Sequence, residues 1–158
     1  MKLKFSWTKA AVILFVAVLT LALYSEDSEA RDGVVLSLGH TVLNAHQTAG
    51  EVGYRFGRWE AAATRFGHGS TKRGDIDSAH AVSVSRIVRP GWKFLGAENY
   101  YRIGGSYVDG MPLVGNWNYR LGLGLAWDLV EVEYFHYSSA GINDPNTGID
   151  GVQFRLRL

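Results

Sequence analysis

Large apolar side chains alternate with small or charged ones through the segment 117–127. One parity carries Trp117, Tyr119, Leu121, Leu123, Leu125 and Trp127, and the other carries Asn118, Arg120, Gly122, Gly124 and Ala126. Successive side chains of a β-strand point to opposite faces, so the two sets lie on opposite faces of one strand. A soluble sheet would have to bury the large set and build its core there. Small and charged residues inside, with large apolar residues outside, are typical of a membrane β-barrel.

The same alternation recurs from Asp32 onward, and no segment there shows a convincing helical period. Alternating segments include 34–42, 51–57, 81–88 and 95–107, and together with the remaining segments they predict about eight strands. In lipid, only helices and closed barrels satisfy every backbone N–H and C=O group. We therefore predict an all-β fold, an eight-stranded antiparallel transmembrane β-barrel that occupies residues 31–158.

The predicted interior positions carry charges of both signs. With eight strands, side chains just fill the interior of a barrel. We therefore expect an ion-paired plug and not an open pore, formed by Glu51, Arg55, Glu60, Glu98, Arg102, Arg120, Glu131, Glu133, Arg155 and Arg157.

Short and long connections alternate along the predicted barrel. The turns at 57–58, 90–91 and 128 are tight, whereas the segments 43–49, 67–78, 109–114 and 139–149 are longer. In outer-membrane barrels, short turns face the periplasm and long loops face outward. Trp59, Trp92 and Trp127 each lie beside a tight turn, which predicts an aromatic girdle at the inner interface.

The N-terminus predicts export. Three lysines, at positions 2, 4 and 9, flank the start of an apolar run over 10–24, and Ser28-Glu29-Ala30 offers a small-residue cleavage site. This pattern predicts a secretory signal peptide over residues 1–30, with an uncleaved anchor as the alternative. The chain has no cysteine, which argues against a lipoprotein and excludes a disulfide framework. The net charge of +1 gives no reason to expect a nucleic-acid partner.

The last predicted hairpin carries a hydroxyl, an imidazole and a carboxylate. His136 and Ser138 are two residues apart and share one strand face, and Asp150 has the parity of the apolar, lipid-facing residues on the returning strand. If His136 lies opposite Asp150, the same register places Glu131 opposite Arg155 in the interior. Polar groups on a lipid-facing surface are costly and indicate function. Nucleophile, base and acid are the groups of a serine hydrolase.

Motif residues around this hairpin resemble those of a known family. His136-Tyr137-Ser138, Ala140-Gly141, Pro145-Asn146 and Gly148-Ile149 are similar to the signature of the PagL-type lipid A 3-O-deacylases, which are outer-membrane barrels. The resemblance implies that Ser138 is the nucleophile, His136 the general base and Asp150 the acidic member. It further implies an oxyanion hole formed with Gly141 and Asn146. The family typically has Glu at position 150 and Asn at position 139, where this chain has Asp150 and Ser139.

The resemblance implies a carboxylic ester hydrolase in the bacterial outer membrane that acts on lipid A or lipopolysaccharide. Lys72 and Arg73 are predicted to attract lipid A phosphates, with an ordinary solvated pair as the alternative. His40, His46, His68 and His80 have no convergent spacing and are expected to be loop or strand-surface residues. We expect no cofactor and no metal ion, and a homodimer is an open alternative for the oligomeric state.

Two other functions are compatible with the same scaffold. A non-enzymatic small barrel, for adhesion or membrane structure, would use His136, Ser138 and Asp150 only as interfacial polar residues. An acyltransferase would use similar residues but needs an internal acyl pocket, against which the predicted interior charges argue.

Overall fold

The computed structural model describes residues 32–158, and these form a closed all-β barrel. The predicted signal peptide, residues 1–30, lies outside the described residues. The strands are β1 (Gly33–Thr41), β2 (His46–Phe56), β3 (Trp59–Thr71), β4 (Gly74–Ile76), β5 (Ala79–Val88), β6 (Lys93–Phe94), β7 (Ala97–Asp109), β8 (Trp117–Trp127), β9 (Val130–Ser138) and β10 (Ile149–Arg157). Within residues 32–158, no helix is long and apolar enough to cross a membrane.

Eight long antiparallel strands make the barrel wall, as predicted. Their order is β1–β2–β3–β5–β7–β8–β9–β10, and β10 pairs with β1 to close the ring. The short strands β4 and β6 extend the connections, pairing with β3 and β7 respectively. A row of directly opposed residues that starts at Trp117 crosses every wall strand and returns to β8 at Trp127. This stagger shows that the strands are tilted relative to the barrel axis.

Side-chain burial confirms the inverted pattern of the wall. Outward-facing Leu38, Phe154 and Trp117 are 65%, 65% and 68% exposed, whereas inward-facing Arg55 and Arg102 are fully buried. The apolar residues therefore form the outer surface of the barrel and the charged residues its interior.

The interior has two layers. Near the chain termini lies a network of paired charges, in which Arg155 contacts Glu133 at 2.7 Å and Arg55 contacts Glu131 at 2.8 Å. Near the other end lies an apolar cluster that includes Phe66, Phe135, Tyr137 and Ile149. Buried charges remain stable only when they are paired, and here they are.

Two details of the predicted plug differ from the structure. Glu98 lies at the edge of the network with its side chain 19% exposed, and it pairs with Arg89 at 2.7 Å. The sequence prediction omitted Arg89 because this residue follows the last residue of β5 and so falls outside the alternating pattern. Arg89 also contacts Glu131, at 3.3 Å, and joins the edge pair to the network.

The two ends of the barrel differ, and we call them the turn end and the loop end. The turn end holds residue 32, the C-terminus and the turns at 57–58 and 128–129, and Trp59, Trp92 and Trp127 are exposed there. At the loop end, two predicted loops are mostly strand. The β1–β2 connection is only 42–45, because β2 begins at His46, and the segment 67–78 is largely the β3–β4 hairpin. The irregular connections are 110–116 and 139–148.

Candidate active site

The register of the last hairpin brings His136 and Asp150 together. They are directly opposed on β9 and β10, and Glu131 is opposed to Arg155 inside the barrel, so the register prediction is confirmed. His136 Nδ1 lies 2.7 Å from Asp150 Oδ1. The imidazole side chain is 32% exposed and the carboxylate 8%, so the carboxylate is shielded while the imidazole is accessible.

Two further side chains contact the Asp150 carboxylate. The hydroxyl of Tyr134 donates to the same oxygen that His136 contacts, and Asn44 Nδ2 donates to the other oxygen at 3.4 Å. Sequence reasoning missed both residues. Tyr134 shares the outward parity of His136, so the sequence could have predicted that it lies beside the imidazole. Asn44 comes from the distant β1–β2 connection, and no sequence pattern indicates its contact.

Ser138 follows on the same outward face, at the last position of β9. Its hydroxyl donates to Asn146 Oδ1 at 3.0 Å and accepts from the backbone N–H of Ala140 at 3.1 Å. The Asn146 oxygen also accepts the N–H of Ser139 at 2.9 Å. In the described part of the chain, the hydroxyl is therefore oriented by the loop and not by the imidazole.

The connection 139–148, here called the site loop, is attached to its neighbours at several points. Asn143 Nδ2 donates to the carbonyl of Trp117 at 2.6 Å, and the N–H of Thr147 donates to the carbonyl of Leu113 at 2.8 Å. Asn146 forms an isolated β-bridge with Val114, and Asn44 donates to the Thr147 carbonyl at 3.0 Å. These contacts hold Asn146 in position beside Ser138.

Two glycines of the site loop have backbone conformations that other residues rarely adopt. Gly148 has φ of 85°, and a Cβ there would lie 3.1 Å from His136 Cε1. Gly141 has φ of 84° with no atom near its missing side chain. Its N–H makes no backbone hydrogen bond within residues 32–158. Glycine therefore suits position 148 in both backbone conformation and space, and it suits position 141 in backbone conformation.

An apolar groove of about 1040 Å³ runs along the outside of the barrel to the site loop. Its lining includes small outward positions on two strands, Ala61 and Ala63 on β3 and Gly105 on β7. At the site-loop end it is lined by Ser139 and Ile142, next to Ser138, and by Tyr119, which is directly opposed to Ser138. The interior of the described barrel is filled by charges and aromatic rings, so this outer groove is the space that adjoins the site.

The other candidate residues lie apart from this arrangement. Lys72 and Arg73 are exposed in the β3–β4 turn, and β3 is separated from β10 by β1 and β2. Their phosphate contacts stay a prediction. His40, His46, His68 and His80 are all exposed, as expected for surface residues. Among the described residues, no group of three or more His, Cys, Asp or Glu side chains is arranged to hold a metal ion.

Comparison with known proteins decides the family. The family model described as lipid A 3-O-deacylase (PagL) matches residues 32–158, the whole of the described barrel. The chain belongs to the PagL family. The crystal structure of the outer membrane enzyme PagL is similar to this barrel with a TM-score of 0.53 and 19% sequence identity, and the match covers 81% of this chain and 100% of that chain. At that identity the structural likeness shows the fold alone. No curated protein sequence matches the chain.

The chain departs from the residues typical of the family at positions 150 and 139. Asp150 has a shorter side chain than the Glu typical of the family, yet it reaches His136 at 2.7 Å. Ser139 is buried, and its hydroxyl donates to the Asn143 carbonyl at 2.9 Å, within the site loop. Both residues are thus accommodated by local hydrogen bonds.

Proposed function

We propose that this chain is an outer-membrane lipid A 3-O-deacylase that works as a serine esterase through Ser138, His136 and Asp150. The observation that carries the proposal is the 2.7 Å contact between His136 Nδ1 and Asp150 Oδ1, on the outward face of a chain of this family. Because the carboxylate occupies Nδ1, Nε2 is the imidazole nitrogen left to accept a proton. Ser138 lies two residues further along the same face and supplies the hydroxyl.

In this mechanism, Ser138 Oγ attacks the carbonyl carbon of a 3-O-linked acyl ester while His136 Nε2 takes the hydroxyl proton. Substrate entry shifts the Ser138 hydroxyl from Asn146 toward the imidazole. The tetrahedral intermediate then expels the sugar 3-oxygen, which receives the proton from His136. Water attacks the acyl-enzyme with His136 as base, and this step releases the fatty acid and restores Ser138.

We assign to Gly141 and Asn146 the stabilisation of the charge that develops on the carbonyl oxygen. The Asn146 side chain lies beside Ser138, and the N–H of Gly141 belongs to the same site loop. Donors that are already oriented act at no reorganisation cost, and removing one such donor typically reduces the rate about 10²- to 10³-fold. Ala140 N–H, which already contacts Ser138 Oγ, is a third donor in this region.

The deciding experiment is mass spectrometry of lipid A from cells that express the wild-type chain or Ser138→Ala. We expect the wild type to yield lipid A short of one 3-O-acyl chain and Ser138→Ala to leave lipid A intact. Intact lipid A with well-folded wild-type protein would refute the hydrolase and favour a non-enzymatic barrel. A shortened lipid A that survives Ser138→Ala would assign the nucleophile to another residue.

Location and assembly belong to the same proposal. Export by the signal peptide predicts that the mature N-terminus follows Ala30 and that the barrel fractionates with the outer membrane, which N-terminal sequencing of that fraction tests. A homodimer stays a prediction, to be tested by light scattering of the detergent-solubilised protein.

A further inference from the structure

A polar row borders the loop-end side of the outer groove. Arg65 and His80 are directly opposed on β3 and β5, and His80 is in turn opposed to Asp109 on β7. All three side chains are exposed and face outward, two residues beyond the groove residues Ala63, Val82 and Tyr107 on their own strands. The groove itself is therefore apolar, and an arginine lies along its edge nearest the loop end.

Arg65 lies on the outward wall of the barrel, near the loop end. It lies seven residues beyond Arg58 of the β2–β3 turn, just as His136 lies seven residues beyond Leu129 of the β8–β9 turn, so the two are at similar depth. An arginine on the lipid-facing wall of a barrel is unfavourable away from the interface. Within residues 32–158 its side chain makes no ion pair or hydrogen bond, so its guanidinium group is available to an anion in the surrounding lipid.

We infer that the groove and Arg65, with His80 beside it, bind the uncleaved acyl chains and a phosphate group of the same phosphorylated lipid whose ester lies at Ser138. This inference rests on the proposed function. The groove is continuous from Ser139 to Ala61, and four strand spacings of about 4.8 Å separate β9 from β3. A span of roughly 19 Å offers room for several acyl chains beside one another.

The charge arrangement selects an anionic headgroup. Arginine pairs with phosphate through two parallel N–H···O bonds, which makes it the preferred residue for such a group. Asp109 is opposed to His80 and not to Arg65, so Arg65 is left as the anion contact. Lys72 and Arg73 are seven and eight residues further along the chain than Arg65, beyond the groove.

The test separates phosphate recognition from the chemistry. The variant Arg65→Gln is compared with Arg86→Gln, an outward arginine on β5 near the turn end. For phosphorylated lipid A, we expect KM to rise about fivefold in Arg65→Gln, with kcat unchanged and Arg86→Gln like the wild type. For lipid A stripped of its phosphates, and for a p-nitrophenyl monoacyl ester, we expect Arg65→Gln to have the same KM as the wild type. An equal KM for phosphorylated lipid A, or the same rise without phosphates, would overturn the inference.

A second variant tests the groove itself. A Cβ at Gly105 meets no atom within 4 Å, so Gly105→Leu should fold and fill the floor of the groove. We expect this variant to raise KM for lipid A severalfold and to leave KM for the monoacyl ester unchanged. An unchanged KM for lipid A would show that the acyl chains do not bind in the groove.

Binding measurements keep the inference testable if the hydrolase proposal fails. Phosphorylated lipid A is titrated against Ser138→Ala and against Ser138→Ala combined with Arg65→Gln, both in detergent micelles. We expect the double variant to bind about fivefold more weakly. Equal affinities would refute the lipid site, whatever the outcome of the activity assay.

Discussion

Tyr134 and His136 contact the same carboxylate oxygen of Asp150, one through its hydroxyl and the other through Nδ1. The two residues are two positions apart on the outward face of β9, so the same strand supplies the imidazole and a second donor to the carboxylate. Asn44 holds the other carboxylate oxygen from across the loop end. The shorter acid of this chain is thus fixed on both oxygens.

Removing the Tyr134 hydroxyl should weaken the orientation of Asp150. We expect Tyr134→Phe to lower kcat about tenfold, because a hydrogen bond to a charged group contributes about 1.5 to 3 kcal/mol and part of that is retained by Asn44. Steady-state kinetics across pH tests this. A pH profile that changes shape indicates an effect through the His136–Asp150 pair. Tyr101→Phe, an outward tyrosine on β7, is the matched control.

Asn146 offers both an acceptor and a donor to the site, and two variants distinguish them. Asn146→Asp keeps an oxygen for the Ser138 hydroxyl and the Ser139 N–H but removes the amide donor. If the donor stabilises the oxyanion, kcat should fall about 10²-fold or more in both Asn146→Asp and Asn146→Ala. Full activity in Asn146→Asp would restrict the residue to positioning Ser138.

Gly148 is required for the position of the imidazole. A Cβ at this position lies 3.1 Å from His136 Cε1 and the backbone has φ of 85°, so Gly148→Ala should displace the ring and reduce kcat at least tenfold. Gly96→Ala is a matched control, because Gly96 has φ of 77° but no atom within 4 Å of its missing side chain. If both variants lose equal activity, backbone strain alone explains the result.

The buried charges should be indispensable to the stability of the barrel. Glu133 contacts Arg155 at 2.7 Å and Arg120 at 3.2 Å in full burial, so Glu133→Gln leaves uncompensated cations inside. We expect a loss of about 3 to 5 kcal/mol in the free energy of unfolding, measured by urea titration in detergent micelles. Glu98→Gln should cost less, because Glu98 lies at the partly exposed edge of the network and its partner Arg89 keeps a second carboxylate, Glu131, at 3.3 Å.

The sequence was sufficient for the barrel and for the register of its last hairpin. The period of two assigns each side chain to the inside or the outside, and one pairing of His136 with Asp150 satisfied both faces. The contacts that the sequence did not predict involve residues outside the regular strand alternation. Asn44 and the bond from Ser138 to Asn146 depend on loop conformation, which alternation does not encode, and Arg89 lies just past a strand end.

The alternation of β9 links the candidate active site to the interior of the barrel. Glu131 and Glu133 point into the charge network while Tyr134, His136 and Ser138 point out, all within one nine-residue strand. A single-residue insertion ahead of Glu131 would turn the carboxylates into lipid and the imidazole into the barrel at once. Under the proposed function, a measurement of hydrolysis would therefore show that β9 has paired in its native register, without any spectroscopic probe.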